Sequence, residues 1–157
     1  MTDPDIQTLL DQQAIHDLVV RLTRAQDRCD RELLLSCYHP DARDEHGPFK
    51  GSPTEFADWV FPHIRRMRFI QHRVSNVLIE VRGDVAYGES YAFEEGETLD
   101  GSKVTGCGRY IDRFERRNGE WRIALRRVIL EGVAPGFDAS DFFPSLQSRE
   151  DISYERD

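Results

Sequence analysis

Asp27 and His72 lie far apart in this chain, yet they are the two residue types that together make a supported base. A carboxylate beside an imidazole fixes its tautomer and stabilises its charged form, so the ring can exchange a proton near neutral pH. Such a base removes a proton from carbon next to an activating group, while an acid across the pocket helps a leaving group depart. Taken singly, each residue has a plainer reading. An aspartate at a helix end usually caps or meets solvent, and a lone inward histidine is usually a satisfied core residue.

The elements that must position them are legible from periodicity. Asp3-Pro4 reads as an N-cap followed by proline, and Ile6, Leu9, Leu10, Leu18, Val19 and Leu22 recur at helical spacing, which predicts a helix over 5–28. A second helix over 31–37 is stopped by His39-Pro40, and 42–50 reads as a short strand and turn. Ser52-Pro53 opens a third helix, with Phe56, Trp59, Val60 and Ile64 on its apolar face, running to about 68 and kinked or divided by Pro62. From there the period is two, which predicts strands over 69–81, 85–97, 103–117 and 120–134. The turns Arg82-Gly83-Asp84, Asp100-Gly101 and Asn118-Gly119 are short, so neighbouring strands are antiparallel. The expected fold is α+β: a cone-shaped, curved antiparallel sheet covered by N-terminal helices, whose open end admits a small molecule. One domain spans 1–157. Its tail, 135–157, carries Phe137, Phe142, Phe143 and Leu146, which should pack over the mouth as a lid, on a neighbouring subunit, or as an inert docked terminus.

Strict alternation sets His72 on one face with Ile70, Val74, Asn76 and Leu78, and Arg126 with Ala124, Val128 and Leu130. Arg127 shares a still more apolar face with Trp121, Ile123, Leu125 and Ile129, so periodicity alone does not choose between the two arginines. If exposed, Trp121, Ile123 and Ile129 would invite a homodimer or homotrimer. Asp44 and Glu94, if inward, would favour a hydroxylated or cationic ligand. His39, His46 and Asp44 with His72 do not repeat a known metal-site spacing and read better as solvated polar groups.

A net charge of -8 and a pI near 5.1 argue against nucleic acid as a partner. Arg65, Arg66 and Arg68 read as a solvated helix face. No apolar run is long enough to cross a bilayer, and residues 1–12 are polar and acidic rather than a signal peptide, so a soluble, cytoplasmic protein without a membrane partner is expected. Cys29, Cys37 and Cys107 are odd in number and lack C-x-x-C spacing, so they read as reduced, partly buried packing residues.

The segments 17–30, the His72 strand and 108–123, with its Gly108-Arg109-Tyr110 start and Asn118-Gly119-Glu120-Trp121 turn, carry a resemblance. Over about residues 5–134 the chain resembles the SnoaL-like branch of the nuclear transport factor 2-like superfamily. That resemblance implies the cone-shaped fold, a catalytic dyad at Asp27 and His72, and Arg126 as a stabiliser of developing negative charge. It also implies pocket-facing Ala92 and Tyr110, with Glu94 on the same face; the expected substrate contacts are Asp44, Trp59, Ala92, Glu94 and Tyr110. Leu22 stands where related lyases place a Lys or Tyr, so a second polar group must come from elsewhere. The implied activity is a cofactor-independent lyase (dehydratase) or isomerase on a small cyclic or polycyclic metabolite. The alternative is a non-catalytic binding or assembly protein of the same fold, like a ring-hydroxylating dioxygenase β subunit.

Overall fold

Asn118 (φ 54°) and Gly119 (φ 81°) both take left-handed backbone in the computed structural model of the chain, which describes residues 3–133. Two such residues in succession make the tight turn whose twist matches that of the flanking strands. The turn joins β5 (Lys103–Arg117) to β6 (Glu120–Val133), and similar short turns join β3 (Met67–Arg82), β4 (Val85–Thr98) and β5. Ahead of this meander come α1 (Asp3–Asp27), α2 (Arg31–Ser36), β1 (Tyr38–His46), β2 (Phe49–Gly51) and α3 (Pro53–Ile64). The tail expected over the mouth lies outside the described residues.

Among the described residues six strands form one curved, unclosed sheet in the order β2-β1-β6-β5-β4-β3. Its pairs are antiparallel except β1 with β6, which are parallel. The strand and turn expected over 42–50 are present, but the strand begins earlier, at Tyr38, and lies parallel to β6 rather than antiparallel. The sequence from Tyr38 extends immediately after the second helix, and Pro40 sits inside it near a register shift, where a missing N–H is tolerated. Pro62 does not divide α3, because the helix ends two residues later and few backbone bonds are lost. The other end of α3 is a capping box in which Glu55 N–H donates to Ser52 Oγ (3.3 Å) and Ser52 N–H donates to Glu55 Oε2 (2.8 Å).

The core lies between α1 and one end of the sheet's concave face. Ile15, Leu18, Leu22 and Ala25 pack there with Phe56, Phe114 and Ile123. Ile6, Leu9 and Leu10, expected on the same stripe, are exposed, so the helix buries its apolar face only from about Ile15 onward. Asp11 pins the first half of α1 to the β5–β6 hairpin: Trp121 Nε1 donates to it at 3.0 Å and Arg116 NH1 at 2.9 Å. Asp11→Ala is expected to cost about 1–3 kcal/mol by leaving the buried indole N–H unpaired, to be read from the shift in urea midpoint.

Two irregularities overturn the face assignments made from strict alternation. At Asn76 (φ 49°) the β3–β4 register shifts, so inward positions become Val77, Ile79 and Val81, and Leu78 is 70% exposed. At Ala124 the β5–β6 register shifts again, since Arg113 pairs Leu125 while Phe114 pairs Ile123. Trp121 and Ile123 therefore belong to the same side as Arg126, not that of Arg127, and both are buried in the core. An exposed oligomer face built on them does not exist. Cys37 is buried as expected and Cys29 is half-buried, whereas Cys107 is exposed.

Candidate active site

Along β5 the inward side chains run from small to large: Val104, Gly106 and Gly108 at one end, then Tyr110, Asp112 and Phe114. The helices fill the concave face at the Phe114 end. At the glycine end they do not, and a cavity of about 530 Å³ remains. Its walls include His72 and Ile70 from β3, Ala92 and Glu94 from β4, Tyr110 from β5, and Leu130 from β6. His46, Trp59 and His63 close another side as an aromatic wall, with Trp59 and His63 ring centroids 5.4 Å apart.

Asp27 is the last residue of α1, where the chain turns sharply through Cys29 (φ 49°). From the helix end its carboxylate reaches β3. It accepts the Nδ1 hydrogen of His72 at 2.5 Å and the backbone N–H of His72 at 3.2 Å to each oxygen. The two side chains are only 10% and 7% exposed. With Nδ1 held as the donor, Nε2 is the ring atom turned toward the cavity, 3.4 Å from Glu94 Oε2. Burial works against a charge on the ring, but the bonds to Asp27 and Glu94 outweigh it and lift the His72 pKa from 6.5 to about 9. Burial likewise acts to raise Glu94, and the His72 contact overcomes it, so Glu94 lies below its ordinary range.

The sign of the resulting pH dependence is fixed by these directions. A histidine raised to about 9 on folding contributes fully below its ordinary 6.5 and loses that contribution as pH rises through 9. Urea unfolding at pH 6 and pH 9.5 should show wild type losing on the order of 2–3 kcal/mol more than His72→Ala between those conditions. Equal losses would show that the ring is not held charged. Glu94, being depressed, acts oppositely: its contribution is present above the ordinary carboxylate range and fades as pH falls.

Of the residues expected at the site, His72, Trp59, Ala92, Glu94 and Tyr110 line the cavity together, and Asp27 stands directly behind His72. Arg126 and Asp44 do not line it. Arg126 is inward and 1% exposed, but Asp112, its cross-strand partner, captures the guanidinium with bonds of 2.8 and 2.7 Å. Its Cζ lies 4.1 Å from the Tyr110 ring centre, so it backs the cavity wall rather than forming it. Asp44 is fully buried and accepts the Tyr38 hydroxyl at 2.6 Å; its other oxygen is 3.5 Å from His46 Nδ1. Arg127 is paired with Glu45 at 3.4 Å.

The sequence reading missed His46 and His63 as wall residues and the glycine pair as the cavity floor. The missed signal was Gly106 and Gly108 two apart in a strand, which strips one face of side chains. His39 and Asp44, expected to be solvated, are instead buried, and His39 Nε2 lies 2.9 Å from the Glu115 carbonyl oxygen, with which it hydrogen-bonds. Among the described residues no cluster of three or more His, Cys, Asp or Glu is arranged to hold a metal ion, and no helix is long and apolar enough to cross a membrane.

A SnoaL-like domain profile matches residues 7–127. The LinA crystal structure superposes with a TM-score of 0.76 at 23% identity, covering 85% of this chain and 95% of that one. A candidate scytalone dehydratase from Novosphingobium aromaticivorans also gives 0.76, at 17% identity over 83% and 91% of the two chains. A Mycobacterium tuberculosis protein of unknown function is 29% identical, with a TM-score of 0.73 over 83% and 76%. No curated protein matches at a significant level.

Proposed function

Because the chain belongs to the SnoaL-like domain family, with a fold shared by dehydratase-like and dehydrochlorinase structures, we propose that it is a cofactor-independent lyase, a dehydratase, or an isomerase. Its substrate is a small cyclic or polycyclic metabolite bearing a hydroxyl group. The observation that carries this reading is the supported imidazole: Asp27 holds Nδ1 at 2.5 Å, and the other ring nitrogen faces a cavity. A structural histidine could also be satisfied by a buried carboxylate, but it would need no cavity in front of its second ring nitrogen. The cavity, near 530 Å³, falls in the usual range for small-molecule sites, about 300–1,000 Å³, and is walled largely by apolar side chains.

The chemistry is proton transfer at carbon next to a carbonyl or similar group, followed by loss of the neighbouring hydroxyl. His72 and Asp27 form the dyad at its centre. Trp59, Ala92 and Tyr110 hold the ring system, and Glu94 contacts the substrate beside His72 on the same wall. Arg126 acts one layer back, its charge shared between Asp112 and the Tyr110 face, and so steadies that ring.

The test is a panel of cyclic β-hydroxyketones assayed for appearance of the conjugated enone, with calorimetric binding of the same compounds. Conversion by wild type is expected. Binding throughout the panel without conversion would favour a ligand-holding protein of the same fold.

A further inference from the structure

Glu94 and His72 are cross-strand partners, and Oε2 and Nε2 lie 3.4 Å apart where both side chains line the cavity. Since Nδ1 already donates to Asp27, a neutral ring would present a bare acceptor at Nε2 to the carboxylate, another acceptor. A proton must therefore lie between them. The fold makes room for this contact: a Cβ on Gly106, the residue opposite Glu94 on β5, would come within 2.6 Å of Oε1 and 3.1 Å of Cγ. The absent side chain is the berth for the carboxylate.

We propose that Glu94 is a second catalytic residue, taking the proton from carbon while the His72 imidazolium delivers its Nε2 proton to the departing hydroxyl. This rests on the elimination reading above and divides the acid and base roles within it. The C–H bond breaks, its proton passes to Glu94, and its electron pair becomes the second bond of the alkene. The C–O bond breaks with its pair on oxygen, which takes the Nε2 proton and leaves as water. Glu94 is then a neutral acid beside a neutral ring, and its proton returns to Nε2, restoring the starting pair without any other reactant. Both groups stand on one wall, so both bonds break on one face of the substrate.

The electrostatics agree with that starting state. The groups that face Glu94 are His72 on β3, His46 on β1 and Tyr110 on β5, with Asp27 behind His72. The two histidines pull the carboxyl pKa down, and the two carboxylates hold the His72 pKa up near 9.

The experiment compares 3-hydroxycyclohexanone with 3-acetoxycyclohexanone, whose leaving group needs no acid, and follows His72 by nitrogen-15 NMR. Glu94→Gln is expected to slow both ketones by roughly 10²-fold or more and to lower the His72 titration by about a unit or more. His72→Gln should be at least about tenfold less impaired on the acetate than on the alcohol, because the lost acid is no longer required. Gly106→Ala, which displaces the carboxylate without removing it, should lower turnover of both ketones by a smaller factor than Glu94→Gln. Wild-type turnover should be level through neutral pH and fall above about 9, as the ring loses its proton.

Turnover by Glu94→Gln within about threefold of wild type, with His72→Ala inactive, would overturn the assignment and leave His72 alone as base. Rescue of Glu94→Gln by the acetate, or a wild-type rate that climbs as pH passes 9, would overturn it equally. A wild type that converts neither ketone removes the elimination reading and this assignment with it.

Discussion

Replacing His72 by alanine is expected to lower turnover by about 10²–10⁴-fold while a ring compound still binds, because proton transfer by a placed group is worth that much. The ring is one of many cavity-lining side chains, most of them apolar, so its removal takes little contact area from a ligand. The expectation is a fall in kcat with a calorimetric Kd changed by less than about tenfold. Asp27→Asn should reproduce much of the loss with less disturbance. An amide fits the same space but carries no charge, so the imidazolium loses the buried partner only 2.5 Å away, and the His72 pKa falls toward 6.5. An NMR titration unchanged by Asp27→Asn, or full turnover by His72→Ala, would refute the dyad. Because Asp27 also accepts the His72 backbone N–H, far-ultraviolet circular dichroism of both variants belongs beside the kinetics.

Arg126→Leu is expected to be the most destabilising single change outside the cavity, at about 3–5 kcal/mol, because it strands Asp112 in the interior. The two side chains are 1% and 2% exposed, and Asp44, also fully buried, lies near enough to add repulsion. Burial already raises the Asp112 pKa despite the arginine, so in the variant this carboxyl should take up a proton on folding, and stability should recover as pH is lowered. The double variant Arg126→Leu, Asp112→Leu should regain much of the loss, since replacing both charges removes both desolvation penalties. For a domain of this size the single change should lower Tm by roughly 10 °C. If Arg126→Leu melted within a degree or two of wild type and lost only turnover, the guanidinium would be acting on substrate after all.

The order of the elements was readable from period and punctuation. Helical spacing, Ser52-Pro53, and the turns at Gly83, Gly101 and Asn118-Gly119 mark elements whose structural bounds agree to within about four residues, and β5 agrees at both ends. These are local properties: turn chemistry and side-chain period act between residues a few positions apart. Asp27 and His72 were legible for another reason, as residue types suited to one task and matched by the family resemblance.

What the sequence could not decide depends on contacts between distant segments. Whether Arg126 meets a ligand turned on Asp112 standing opposite it, and on one extra residue at Ala124 that reverses which side Trp121 and Ile123 take. A bulge costs little locally and is stabilised only by packing across the sheet, so alternation cannot reveal it. The parallel seating of β1 beside β6 and the contact between Glu94 and His72 have the same origin. By itself the sequence determined the helices, the hairpins and the residue types able to move a proton. Tertiary structure decided which of them share a cavity, because strand register and helix docking are settled by burial summed over the whole sheet.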